Sequence, residues 1–319
     1  MFFTSIIPTV GRKALRRAVH SVLEQGFSSA DYEIIVINDS GSPLPKEEWQ
    51  NSPLVKVINT DHVERCVGRN VGAAIARGQY LHFLDDDDWL LPGALDIFWK
   101  LSHQYENHSW LFGGTLICDR EDQPVIHLIH RLEPNCFAQV MAGEWIPLQA
   151  SFINRIDFHK VGGFNPLIPG IEDMDLARRM ALHFDFHGTG ELVAGVGMGI
   201  AGSTTDQSKA RLDGRQAREL ILNEPRVYQR LWQSANTAYW YGRIVRVYLT
   251  SAVWNLSHRR FFTAISRIFH GLRAIFASLF SSLFQRDFWR AITGPYESET
   301  FARGLSERKD KKIREMRML

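Results

Sequence analysis

YLHFLDDDDWLLPG, Tyr80 to Gly93, is the stretch on which the reading of this chain turns. Its first half is an apolar run that reads as a buried strand. Four consecutive carboxylates, Asp85 to Asp88, follow where that strand would end. Adjacent carboxylates repel one another unless a positive group joins them. One reading is a solvated acidic turn with Asp88 as the N-cap of the next helix, a position Asp favours. The other is a cation site, in which a divalent ion carrying a diphosphate joins the acids.

The flanking sequence bears on the choice. Upstream, FFTSIIPTV is a short apolar run ended by Gly11, and Lys13 to Gln25 repeats Leu15, Val19, Val22 and Leu23 at helical spacing. EIIVINDSG reads as a second buried strand and VKVIN as a third; the Ala-rich stretch from Val67 to Arg77 reads as a helix. Strand, helix, strand, strand, helix, strand predicts an open, mostly parallel α/β sheet. Such sheets bind ligands beyond the carboxyl ends of their strands. Asp39 and the aspartate run both fall at such ends, so two strands deliver acids to one rim, which favours a site.

Downstream, WLFGGTLICD reads as a strand followed by a turn around Glu121 to Pro124. Gly162, Gly163, Pro166, Pro169 and Gly170 make a loop, and Asp173 to His183 restarts as a helix with Leu176 and Met180 on one side. Glu172, Asp173 and Asp175 sit at or just before its start. Capping and dipole complementarity explain one or two acids there more easily than three.

The 319 residues allow one large domain or a domain plus an appendage, and 45% hydrophobic residues is ordinary for a globular protein. Cys66, Cys118 and Cys136 fit no metal spacing and no even disulfide framework, which points to a reducing compartment. MFFTSIIPTV lacks a basic n-region and reads as a first strand, not a signal peptide. Charge is uneven: residues 1–224 hold 20 Lys/Arg against 29 Asp/Glu, and residues 225–319 hold 17 against 6. That asymmetry suggests two parts with different surroundings.

Five segments stand in an order that carries a resemblance: SIIPTVGR, SVLEQGF, EIIVINDSGSP, GRNVGAAIARGQYLHFLDDDDWLLPGAL and GGFNPLIPGIEDMDLARR. Over residues 2–215 the chain resembles the inverting, nucleotide-sugar-dependent glycosyltransferases of family 2, which have the GT-A fold. The resemblance implies a Rossmann-like, mostly parallel catalytic domain over residues 1–215. It implies transfer of a sugar from a nucleoside-diphosphate donor to a hydroxyl acceptor, with Mn²⁺ or Mg²⁺ as cofactor. By the same resemblance Thr9 lies beside the nucleoside, Asp39 accepts a hydrogen bond from the base and Arg69 sits near the nucleotide. Asp85 and Asp86 face ribose and metal, and Asp87 is the main metal ligand. The family's Glu-Asp pair falls on Glu172 and Asp173, with Asp173 as the general base.

The chain departs from the family in two places. Val10 and Gly11 stand where an aromatic residue and Asn usually follow Pro-Thr, so no aromatic stack on the base comes from that position. GIAGSTTDQSKARLDG holds no late histidine; Lys209 or Arg211 is there either to meet the diphosphate or as exposed loop charge. His82, His159, His183 and His187 show no metal-ligand spacing and read as strand, loop and helix residues.

Residues 216–300 form a basic, aromatic region. From Pro225 to Arg286 there is no Asp or Glu, and nine arginines. In HRRFFTAISRIFHGLRAIFASLFSSLF, Arg260, Thr263, Arg267, His270 and Ser278 recur at helical spacing. Phe262, Ile265, Phe269, Leu272, Phe276 and Leu279 line the opposite face. No apolar run reaches the roughly 20 residues that span a bilayer. A basic amphipathic helix with a wide aromatic face suits a membrane interface; the bland reading is a bundle packed on the catalytic domain or on a second subunit. Nucleic acid fits less well beside an acidic N-terminal half. Residues 301–319 read as a polar tail. These features lead to an expected cytoplasmic enzyme, peripheral on the cytoplasmic face of a membrane, acting on a glycan or lipid-linked acceptor. Alternatives are a polyprenyl-phosphate glycosyltransferase, a nucleotidyltransferase, and a non-catalytic membrane adaptor on a transferase fold.

Overall fold

The computed structural model describes the chain except residues 29, 106, 107, 120, 169, 198–206, 279–282, 296–300 and 305–319; the side chains of 207–213, 277–278 and 301–304 are also outside the described set. The N-terminal half follows the expected alternation: β1 (Phe3–Thr9), α1 (Leu15–Leu23), β2 (Tyr32–Asn38), β3 (Val55–Asn59), α2 (Arg65–Ile75) and β4 (Tyr80–Phe83). These strands pair in parallel, in the order β4-β1-β2-β3. Parallel sheets are covered on both faces, so their strands read as unbroken apolar runs instead of alternating ones. Ile35 and Ile37 of β2 enter one core layer, while Ile34 and Val36 enter the other. Helix α2 lies close on β1: a Cβ at Gly72 would come within 2.5 Å of Ile6 Cγ2.

Beyond β4 the chain adds β5 (Trp89–Leu90), α3 (Ala94–Gln104), β6 (Trp110–Cys118), β7 (Pro124–Ile129), α4 (Phe137–Ala142), β8 (Ser151–Asn154), α5 (Arg155–Lys160), α6 (Glu172–His183) and β9 (Phe186–Gly197). β8 inserts antiparallel between β4 and β6, and β9 pairs parallel with β6 and antiparallel with β5. The sheet therefore changes direction at β4, and the aspartate run sits at that change. Asp88 does not begin a helix, contrary to the capping reading: α3 starts at Ala94 after Gly93 in the left-handed region, and the short β5 intervenes. Pairing of β5 with β9 holds that segment extended.

Among the described residues five helices follow: α7 (Gln207–Leu222), α8 (Val227–Ser234), α9 (Ala238–Ser257), α10 (Phe261–Ser278) and α11 (Arg286–Thr293). The expected boundary after residue 215 falls inside α7. Trp240, Ile244, Tyr248 and Phe288 belong to the same buried cluster as Ile6 and Phe83, so the helices share the core of the sheet domain. Arg230 ties α8 to the end of α6 through the Ala181 and Phe184 carbonyls and Asp185. A last strand, β10 (Phe301–Gly304), pairs antiparallel with β7; the remaining polar tail, 305–319, is outside the described residues.

Helix α10 is turned against ordinary expectation. Part of its polar stripe faces inward: Arg267 is buried and bonds Asn223 Oδ1 at 2.5 Å, and Thr263 and His270 are half-buried, while Arg260 and Arg273 are exposed. Its apolar stripe faces out, with Phe262 91%, Ile265 63%, Phe269 62% and Phe276 65% exposed. Leu279 lies outside the described residues. No described helix is long and apolar enough to cross a membrane.

Candidate active site

The end of β1 and the end of β4 meet through side chains. Thr9 Oγ1 donates to Asp86 Oδ2 at 2.6 Å and accepts from Gly11 N at 3.0 Å. Arg12, just past β1, donates to Asp86 Oδ1 at 2.9 Å and lies 3.4 Å from Asp87 Oδ2. Arg17 on α1 donates to the Asp87 carbonyl at 3.0 Å and stacks over Trp89, 3.9 Å from the ring centroid. Asp86 is thus occupied by Thr9 and Arg12, and its neighbours are left to face one another.

Asp85, Asp87 and Asp88 each offer one carboxylate oxygen, all within 4.8 Å of one another. Burial, and then the charge of Asp85, pushes the Asp87 carboxyl above its ordinary value. Asp88, buried, is pushed up further by burial and by the charges of Asp85 and Asp87. Gly197 N approaches its Oδ1 at 3.4 Å. Such a knot of acids resists full ionisation unless a cation joins it. The all-oxygen donor set fits Mg²⁺ or Mn²⁺. The aspartates of the group are therefore 85, 87 and 88, with Asp86 turned to Thr9 and Arg12.

Arg69 joins this rim to a segment about ninety residues on. Its Nη2 donates to Asp85 Oδ1 at 2.5 Å and its Nη1 to Glu172 Oε1 at 2.9 Å. Both Arg69 and Glu172 are buried. Glu172 Oε2 accepts from Gly170 N at 2.6 Å, which fixes the loop before α6. Gln149 Nε2 reaches Asp85 Oδ2 at 3.4 Å. Asp173, next in sequence, is half-buried. Its Oδ2 accepts from Trp145 Nε1 at 2.7 Å and its Oδ1 from Met174 N at 2.7 Å. Burial raises its carboxyl above the ordinary value, while the Trp145 bond works in the opposite direction. A carboxylate of this kind has the chemistry of a proton acceptor.

Asp39 stands apart from these acids. Its Oδ1 accepts from Thr60 Oγ1 at 2.7 Å and Val63 N at 2.8 Å, and its Oδ2 from Glu64 N at 3.2 Å. These bonds hold His62 and Glu64 at positive φ, 51° and 81°. A carboxylate has about four acceptor sites, so the loop takes most of its capacity and leaves room for one more donor. His82 is a core residue: it lies 3.0 Å from Ser5 Oγ and 3.0 Å from the Gln149 carbonyl. The side chains of Lys209 and Arg211 lie outside the described residues.

Residues 4–143 match the family model described as glycosyl transferase family 2. Over these residues the chain is similar to the family 2 glycosyltransferases. An uncharacterized glycosyltransferase of Haemophilus influenzae is 25% identical over 179 residues, 55% of this chain and 60% of its own length. The GalNAc(5)-diNAcBac-PP-undecaprenol beta-1,3-glucosyltransferase of Campylobacter jejuni is 34% identical over 119 residues, 35% of this chain and 37% of its own. The chain thus spans less than two thirds of the length of these relatives, 60% of the first and 37% of the second. The crystal structure of S. aureus TarS 1-349 in complex with UDP-GlcNAc superposes with a TM-score of 0.57 at 14% identity, over 90% of this chain and 93% of that one. The shared fold is GT-A.

Around this site, sequence reasoning did not find Arg12, Arg17, Trp145 or Gln149, nor the place of Asp88 beside Asp85 and Asp87. Arg12 lay inside a quoted segment, and its charge beside an acidic rim was the available signal. Trp145 carried none, because its partner is 28 residues away and on another element.

Proposed function

We propose that this protein transfers a sugar from a nucleoside-diphosphate donor to an acceptor hydroxyl, with inversion at the anomeric carbon. The observation that carries the reading is the Arg69 bridge, which ties Asp85 of the acidic rim to Glu172 beside Asp173. Asp85, Asp87 and Asp88 would hold Mn²⁺ or Mg²⁺. When bound, that ion neutralises charge on the departing diphosphate. Thr9, Arg12 and Asp86 form the wall beside it, and Asp39 keeps one acceptor site for the base. Asp173 takes the proton of the acceptor hydroxyl as its oxygen bonds to the anomeric carbon and the bond to the diphosphate breaks. One base and no enzyme nucleophile make a single displacement, and a positioned base contributes roughly 10²–10⁴-fold in rate. The name of the Campylobacter relative supports a lipid-linked saccharide as acceptor.

The outward apolar stripe of α10 and the basic charge of the C-terminal part support a peripheral position on the cytoplasmic face of a membrane. Contiguous exposed apolar surface marks an interaction site, and each basic residue near an anionic leaflet adds about 1 kcal/mol. Co-sedimentation with anionic vesicles tests this: Phe262→Ser with Phe269→Ser should release the protein, and unchanged sedimentation would exclude the membrane reading. The catalytic reading is tested by incubating the protein and Mn²⁺ with a panel of nucleotide sugars and lipid-linked saccharides. Release of nucleoside diphosphate with an inverted linkage is expected. Pyrophosphate release would mean a nucleotidyltransferase instead.

A further inference from the structure

A second charged site lies in the helical part. Arg215 and Arg218 of α7 and Arg243 and Arg246 of α9 line one cleft of about 630 Å³, with Trp254 on one wall and Ala142 at the end of α4. Four guanidinium groups in one cleft repel one another. Glu219 is the acid that acts on Arg218, yet it is buried and takes hydrogen bonds from Ser251 and Asn255. Arg218 donates to Thr250 Oγ1 at 3.3 Å, while its buried Nε has no hydrogen-bond partner among the described residues. Burial, then the charges of Arg215 and Arg243, lowers its guanidinium from the usual value. A bound polyanion would relieve this repulsion and supply the missing acceptors.

The cleft adjoins the proposed base by two routes. Ala142 lines it, and three residues on Trp145 bonds Asp173. Three residues reach at most about 11 Å. On α6, Asp173 and Arg178 are five residues apart, about 7.5 Å along the axis. Arg178 is buried, bonds the Val140 carbonyl at 3.3 Å, and has an Nη1 with no hydrogen-bond partner among the described residues. Burial, then the charge of Arg218, pushes it down to about 10. The arginine cleft is therefore close to Asp173 in the fold, reached through Ala142 on one element and through Arg178 on α6.

We propose that the cleft lined by Arg215, Arg218, Arg243 and Arg246 binds a phosphate or diphosphate group of the acceptor, anchoring it while its hydroxyl reaches Asp173. This rests on the glycosyl-transfer reading for the word acceptor, but the anion site itself can be tested without it. The shared chemistry is a phosphate ester, carried either on a soluble or polymeric acceptor or on a lipid headgroup. Arg215 and Arg218 are suited to mutation, because Arg243 and Arg246 also bond the Ala291 and Gly294 carbonyls.

The test uses the full chain in EDTA, so that the aspartate site holds no ion, with inorganic pyrophosphate as probe and thermal shift as readout. In parallel, phosphatidylcholine vesicles with and without phosphatidic acid are tested by co-sedimentation. Pyrophosphate should raise the wild-type Tm, and Arg215→Glu and Arg218→Gln should each weaken binding roughly 10- to 100-fold. UDP binding with Mn²⁺ should be unchanged in both variants, which reports their folding and the donor site separately. Pyrophosphate binding without phosphatidic-acid binding supports a soluble or polymeric phosphate. Phosphatidic-acid binding that pyrophosphate displaces supports a lipid headgroup. Absence of both in the wild type, or binding as strong as the wild type's in the two variants, overturns the proposal.

Discussion

Trp145 Nε1 donates to Asp173 Oδ2 across 2.7 Å, joining the loop after α4 to the start of α6. The indole is 38% exposed, while the carboxylate it holds is half-buried. The bond favours the charged form of an acid that burial disfavours.

Trp145→Phe removes that donor and should raise the Asp173 pKa. A base with a higher pKa is ionised only at higher pH. The acid limb of kcat/KM, which reports the free enzyme, should therefore move to higher pH. An unmoved limb would mean that Asp173 is not the group that titrates.

Arg69 is buried between Asp85 and Glu172. Breaking a buried pair from one side leaves an uncompensated charge and costs about 3–5 kcal/mol. Arg69→Met should lower the urea midpoint accordingly, although Arg65 at 3.9 Å from Glu172 offsets part of the loss. Arg69→Lys keeps the charge but not the fork that reaches both acids, so it should recover stability only in part. A midpoint unchanged in Arg69→Met would remove the bridge from any structural role.

The parallel half was legible because its strands are covered on both faces. Apolar runs such as EIIVIN can then be read without knowing which residue points where. Asp39 and the aspartate run were placed at the rim by the same logic. The partition of the four aspartates was not legible: Thr9 and Arg12 claim Asp86 from 77 and 74 residues away. The periodicity of α10 separated two faces but not which is inward. That depends on Asn223 receiving Arg267, a tertiary contact with no local trace.

His82 is fully buried and desolvation pushes its pKa down to about 4. Between pH 6.5 and 4 the unfolded histidine takes up a proton that the folded one refuses. Its contribution to stability is thus whole above pH 6.5 and falls as pH drops through that window, by about 2 kcal/mol at pH 5. Urea unfolding at pH 7.5 and pH 5 should show a smaller difference in His82→Gln than in the wild type. Equal differences would show that His82 is protonated in the fold.

The most direct measurement is calorimetric binding of UDP, with and without Mn²⁺, to the wild type, Asp87→Asn and Asp173→Asn, followed by turnover of a UDP-sugar. If Asp87 helps to hold the ion and Asp173 takes the proton, the two variants separate. Asp87→Asn loses the Mn²⁺-dependent part of binding, whereas Asp173→Asn binds as the wild type does but transfers nothing. Mn²⁺-dependent binding of equal strength in Asp87→Asn, or full transfer by Asp173→Asn, would contradict a single centre built from these acids.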